Sequence, residues 1–152
     1  MKKTKGNRLI WAAAILLTAG VCLWGANQTS REERTTARFQ ADRLQLEELA
    51  KRVAACGSAV DVQPPKGWQS VQIYHGACTT VEFAFGARGI GSKTIYWGVN
   101  YVPEDQPVGF QGSRWDYWKE RDGGRLYYDP EDDNQCYVKC LDINWYYYEA
   151  SF

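Results

Sequence analysis

Residues 9–26, LIWAAAILLTAGVCLWGA, run for 18 positions without a charged side chain and follow the basic stretch MKKTKGNR. No other feature restricts the chain as much. A helix of that length rises about 27 Å, against a bilayer core of roughly 30 Å. Trp11 and Trp24 bracket the run, where an interfacial aromatic belt would lie. A core helix of a soluble protein rarely goes so far without a polar side chain on any face. A cleaved leader fits poorly, because a cut after Ala26 puts Trp24 at the −3 position, where a small residue is needed. A lipoprotein cut before Cys22 meets Val21 where a small residue is expected. The run therefore reads as an uncleaved signal anchor in the plasma membrane, with the lipid bilayer as first partner and Cys22 as a buried apolar residue of the span. The basic flank makes residues 1–8 a cytoplasmic tail and puts residues 27–152 outside the cytoplasm.

Charge is uneven along the chain. Residues 1–26 carry four basic and no acidic side chains, so the remainder holds 14 basic against 18 acidic residues. A weakly acidic domain lacks the basic face that phosphate backbones require, which argues against a nucleic-acid partner. Ser30-Arg31-Glu32-Glu33 has the spacing of a capping box, and Gly57 suits a C-cap. Between them Phe39, Leu46 and Val53 recur every seven residues, with Leu49 and Cys56 near the second stripe and Asp42 interrupting it. The spacing predicts an amphipathic stalk helix within residues 27–57. About two heptads are too few for a coiled coil, so the stripe is expected to dock on a sheet, with dimerisation through the stalk as the sharper alternative.

Pro64-Pro65 then breaks regular structure. Beyond it the hydrophobic period becomes two: Val71, Ile73 and His75; Val81, Phe83 and Phe85; Ile95, Trp97, Val99 and Tyr101. Further strands are predicted over 114–119, 124–129, 135–142 and 144–151, divided by turns rich in glycine, proline or aspartate. All ten tyrosines fall in this half. Short links leave no room for crossover helices, so residues 58–152 are predicted to form an antiparallel β domain, and the fold class is α+β. In the first hairpin, a two-residue turn would place Val71 and Ile73 on the face of Thr80 and Glu82. Burial instead favours an odd loop, Gly76-Ala77-Cys78, which matches them to Val81 and Phe83.

His75-x2-Cys78 and Cys136-x3-Cys140 suggest zinc ligands or disulfides. If 135–142 is a strand, Cys136 and Cys140 lie about 13 Å apart, too far to bond each other or to share one metal. Outside the cytoplasm an even cysteine set ordinarily forms disulfides. The workable pairings are Cys56–Cys136 with Cys78–Cys140, or Cys56–Cys140 with Cys78–Cys136. Free thiols and zinc are the lesser readings, and no cofactor is predicted. GARGIGSKT (86–94) fails as a P-loop, because Ser92 separates Gly91 from Lys93 and a strand follows. DPEDDN (129–134) spaces Asp129, Glu131 and Asp133 like a calcium loop but has Asn134 and Cys140 where Gly and Glu are required. It reads as a solvated turn, as does Glu104-Asp105 between prolines.

For catalysis, the chain has one histidine, no Gly-x-Ser-x-Gly and no His-Glu-x-x-His. A Cys78–His75 nucleophile pair defines a small envelope enzyme as one alternative, though a hairpin tip excludes water poorly. The aromatic strands say more. In NWYYYEASF, Tyr146 and Tyr148 point to one face and Trp145 and Tyr147 to the other. One face can pack on the helix; the second meets another layer or stays exposed. Ordinary core explains most of these rings. Those left exposed, with Trp115, Trp118, Trp145 and Tyr147 as candidates, would bind an envelope protein or a glycan. A non-catalytic binding module is the expected function, ahead of the enzyme and of a structural anchor subunit.

YVPEDQPVGFQG (101–112) and DINWYYYEASF (142–152) resemble a group of short single-pass membrane proteins of Gram-positive bacteria whose function is not known. That group combines a basic N-terminus, a membrane span, a charged helix, a Tyr-x-Pro-acidic-Asp-x-Pro segment near Phe-Gln, and an aromatic strand ending in Phe. The resemblance implies the same anchored layout. It brings no activity, cofactor or catalytic residue.

Overall fold

Helix α1 (Arg31–Cys56) is followed by seven strands: β1 (Ser70–His75), β2 (Thr79–Ile90), β3 (Lys93–Tyr101), β4 (Trp118–Arg121), β5 (Gly124–Tyr128), β6 (Gln135–Asp142) and β7 (Trp145–Ser151). The computed structural model describes residues 29–91 and 93–152. The predicted tail (1–8) and signal anchor (9–26) lie outside them. Among the described residues no helix is long and apolar enough to cross a membrane.

All pairings are antiparallel, in the order β1-β2-β3-β7-β6-β5-β4. Two meanders, β1–β3 and β4–β7, meet where β3 pairs with β7. The α+β class with an antiparallel sheet is therefore observed. The first hairpin takes the register that burial demanded: Val71 stands opposite Phe83 and Ile73 opposite Val81, with residues 76–78 as the loop. The glycine-rich stretch is less loop than the sequence suggested, for β2 runs through it to Ile90 and pairs with Lys93. In the other direction, the strand predicted from residue 114 begins only at Trp118.

The helix begins after Ser30 and ends where Gly57, at φ +65°, turns its N–H back to the Val53 carbonyl at 2.9 Å. Phe39, Leu46, Leu49, Ala50 and Val53 are buried against Val71, Val81, Phe83, Val99, Tyr101 and Trp145. The seven-residue stripe is thus spent on the sheet, and α1 belongs to one compact unit with the strands. The stripe docks on the sheet, as its short length led one to expect. This leaves no such stripe free for a stalk dimer. Asp42, which breaks the stripe, fastens the start of the sheet domain to the helix. It accepts from the Trp68 indole N–H at 2.8 Å and pairs with Arg38 at 2.5 Å. Three ion pairs tie the helix to the far half of the sheet: Arg31–Glu149 at 2.9 Å, Lys139–Glu32 at 2.6 Å and Arg43–Asp142 at 3.2 Å.

The opposite face has its own core of Val102, Val108, Tyr127, Cys136, Val138, Tyr146, Tyr148 and Ala150. Its cover is the connection between β3 and β4, residues 102–117, which includes a short 3-10 turn at Phe110–Gly112. Asp105 pins this connection by accepting from the Asn144 N–H at 2.7 Å and from the Tyr146 hydroxyl at 2.9 Å. Its role is a staple, which the carboxylate pair Glu104-Asp105 did not suggest.

Candidate functional site

The aromatic candidates divide in two. Trp145 (0% exposed) and Tyr147 (1%) are core residues, which corrects their place in a binding surface. Trp145 packs on Phe39, Tyr101 and Phe83 at ring separations of 5.0, 5.1 and 5.9 Å, and the Arg43 guanidinium lies 5.1 Å from its ring. The second face, with Tyr146 and Tyr148, found a second layer, so the terminal strand is buried on both sides.

Trp115 and Trp118 behave otherwise. Trp118 opens the edge strand β4 and is 45% exposed, and Trp115 in the connection is half-buried. They border a groove of about 420 Å³ between residues 106–116 and β4–β5. Its rim carries Arg114, Asp116 and Arg125, its wall Gln106, and its floor Tyr127. The Arg125 guanidinium stacks over Trp118 at 4.5 Å. The Trp115 indole N–H donates to Ser113 Oγ at 2.7 Å, which fixes that ring against the connection. On the other side of Trp115, a more apolar groove of about 500 Å³ is lined by Tyr96, Phe110 and Phe152. Arg114, Arg125 and Tyr127 were not singled out in the sequence. Only the three-dimensional return of β5 beside β4 brings them to the tryptophans.

The cysteines do not form the predicted bridges. Cys56, Cys78, Cys136 and Cys140 are free thiols. Cys56 is exposed at the end of α1, on the opposite side of the sheet from buried Cys136, so that pairing would have to cross the sheet. Cys136 and Cys140 share strand β6, as the spacing argument required. His75 follows Val71 and Ile73 on the helix side and is exposed, whereas Cys78 packs against the second core, so the two are not brought together. Among the described residues no group of three or more His, Cys, Asp or Glu is placed to hold a metal. Asp129 to Asp133 form an exposed turn in which Asp129 accepts from the Glu131 N–H at 2.9 Å.

Sequence reasoning missed a third group altogether. Glu82, Asn100 and Tyr148 lie on the same face of β2, β3 and β7, with Glu82 directly opposite Asn100. Glu82 is 5% exposed and Asn100 is wholly buried. The alternation of β2 places Glu82 on the face opposite Val81 and Phe83 without saying what covers it. The connection that buries it has no period to read.

Among the described residues these features define a small α+β unit: one helix on one face of a seven-stranded antiparallel sheet, and a covering connection on the other. No family model matches the chain, and neither a curated protein nor a solved structure matches it.

Proposed function

We propose that this chain is a membrane-anchored, non-catalytic binding module of the cell envelope, held to the plasma membrane by residues 9–26. In this reading it recognises an envelope glycan through the groove between Trp115 and Trp118. The observation that carries the reading is the Trp118 ring, 45% exposed on an edge strand and backed by Arg125 at 4.5 Å. A tryptophan left in water is a ready stacking platform for a sugar ring. Arg114, Asp116, Arg125 and Gln106 add donors and acceptors for hydroxyl groups along the same groove. The polar rim favours a glycan over an apolar peptide. The anchor supplies the location, and the layout resembles that of single-pass proteins of Gram-positive bacteria. An envelope enzyme built on Cys78 and His75 gains no support, because the two side chains lie on different sides of the sheet.

The test is retention of the full-length protein, in detergent micelles, on soluble glycan fragments released enzymatically from cell walls. Quenching of tryptophan fluorescence gives the affinity. Trp118→Ala is expected to weaken binding at least about tenfold, the effect of losing one stacked aromatic contact worth roughly 1.4 kcal/mol. Unchanged binding in that variant, or no binding by the wild type, removes the groove as the recognition surface.

A further inference from the structure

Strands β2 and β3 outrun the rest of the sheet. β1 pairs with β2 no further than Ala84, and β7 pairs with β3 no further than Ile95. The ladder between β2 and β3 nevertheless continues to Gly89–Thr94 and Ile90–Lys93, rungs with no strand on either side. The Phe152 N–H steadies this arm by donating to the Thr94 carbonyl at 3.2 Å. A bare two-stranded ribbon is only marginally stable in water. This one ends on Ile90, which is 92% exposed. Arg88 and Lys93 are exposed beside it, and among the described residues no ion pair involves either.

The arm has a definite place in the fold. Antiparallel partners share a face, as do alternate residues of one strand. Arg88, Ile90, Lys93, Ile95 and Trp97 are therefore on one face. It is the face on which α1 begins, for the Arg31 guanidinium lies 5.1 Å from the Trp97 ring. Arg31 pairs with Glu149 and Arg43 with Asp142, so α1 runs antiparallel to β7. The arm thus continues past Arg31 on the side from which the chain enters the helix. On the opposite face of this end, Tyr96 and Phe152 line the apolar groove together with Gly91 and Thr94, and Tyr96 is 36% exposed.

Residues 27–30 are all that separates the predicted span from α1. From Ala26 to Arg31 the chain reaches at most about 18 Å. Lipid headgroups occupy about 5–8 Å beyond the hydrocarbon core. The clearance left at full stretch is roughly 10 Å. The arm, from Gly86 level with Trp97 out to Ile90, is about 13 Å long. With that link, α1 has no room to stand above the headgroups with the arm beneath it in water.

We propose that the β2–β3 arm rests in the extracytoplasmic headgroup layer of the bilayer that holds residues 9–26, with Ile90 turned to the acyl boundary and Arg88 and Lys93 on lipid phosphates. This rests on the anchor reading of residues 9–26 and not on what the Trp115–Trp118 groove binds. An apolar tip flanked by cations is the composition of elements that lie on a membrane surface, and a tyrosine beside it suits the interface. Charge decides which corner goes down. The β5–β6 turn stands at the same end of the sheet and carries Asp129, Glu131, Asp132 and Asp133. An anionic lipid surface draws the arm and repels that turn, so the sheet tilts arm first. The contact gives the domain one orientation on a link that by itself would let it swing.

Ile143 supplies the comparison for a test. It is 71% exposed in the turn between β6 and β7, at the opposite end of the sheet. The photo-cross-linker p-benzoylphenylalanine is placed at position 90 or at position 143 of the full-length protein. Each protein is reconstituted into vesicles of phosphatidylglycerol and phosphatidylcholine. Flotation shows whether the chain is anchored, and mass spectrometry after irradiation counts lipid adducts. The adduct yield at position 90 is expected to exceed that at 143 at least about tenfold, since only the arm meets lipid. Arg88→Gln combined with Lys93→Gln, or vesicles of phosphatidylcholine alone, should lower the yield at 90 at least about threefold. Protein that fails to float overturns the anchor and the arm contact together. Protein that floats but gives equal yields at 90 and 143, or a yield at 90 indifferent to both charge and lipid, overturns the arm contact and leaves the anchor standing.

Discussion

The two faces of the sheet are covered in different ways. Over one lies a 26-residue helix whose apolar stripe repeats every seven residues and whose charged flanks pair with β6 and β7. Over the other lies a connection without regular period, stapled by Asp105 and closed by a tight turn. The helix side buries aromatic and aliphatic rings around Trp145, and its unpartnered polar atoms are single ones, Arg43 Nε and Trp145 Nε1. The connection side gathers a carboxyl, an amide and a phenol in one spot. A surface built for stability alone would not retain that group, since apolar residues of the same shape are cheaper to bury. One cover is a periodic helix; the other is an aperiodic connection laid over a buried polar group.

The largest effect expected from this contrast is on the helix side. Trp145→Ala removes the ring on which Phe39, Phe83, Tyr101 and Arg43 converge, and should cost about 3–5 kcal/mol in urea unfolding. A loss below about 1 kcal/mol would mean that the helix is not seated through this ring.

The connection side predicts a smaller effect with a definite sign. Because the folded state holds the Glu82 proton more tightly than the unfolded chain, the wild type is favoured at acid pH and loses stability as pH rises from about 4.5 to about 7. Beyond that range this contribution levels off. The loss should be roughly 2–3 kcal/mol, read as the difference between wild type and Glu82→Gln across a pH series of urea unfolding curves. Parallel curves for the two proteins would show that Glu82 does not distinguish the faces.

The smallest effect is at the ion pairs that fasten α1. Lys139 and Glu32 meet at 2.6 Å with about a third of each side chain in water, so Lys139→Met should cost under about 0.5 kcal/mol and the difference should fade in high salt. A larger, salt-insensitive loss would make these pairs part of the fastening rather than its trim.

Periodicity decides what can be read in advance. The helix limits, the seven-residue stripe and the register of the first hairpin are legible because Phe39, Leu46, Val53, Val71 and Ile73 have only one way to be buried. The alternation of β7 shows which rings share a face but not what covers each. From alternation alone Trp145 and Tyr147 remain surface candidates, yet both lie in the core. Glu82 is hidden for the same reason, as its cover is aperiodic. One clue is present: residues 102–117 are long for a turn and carry Val102, Val108, Phe110 and Trp115, apolar side chains that need a surface to lie on. Trp115 and Trp118 stand in the sequence beside Trp145 and Tyr147 as equal candidates, and only the structure shows Trp118 exposed and Trp115 half-buried next to Arg114 and Arg125.

Strand order has a consequence for how the molecule assembles. The last strand of the seven, β7, lies at the centre of the sheet and joins β3 to β6. Until it arrives, the first meander has an open edge at β3, the helix stripe has no Trp145 to close on, and the covering connection has no Tyr148 beneath it. The pairing of β3 with β7 also spans a long stretch of chain, and contacts of that kind form slowly. Both cores therefore wait on the same strand, since Trp145 belongs to one and Tyr148 to the other.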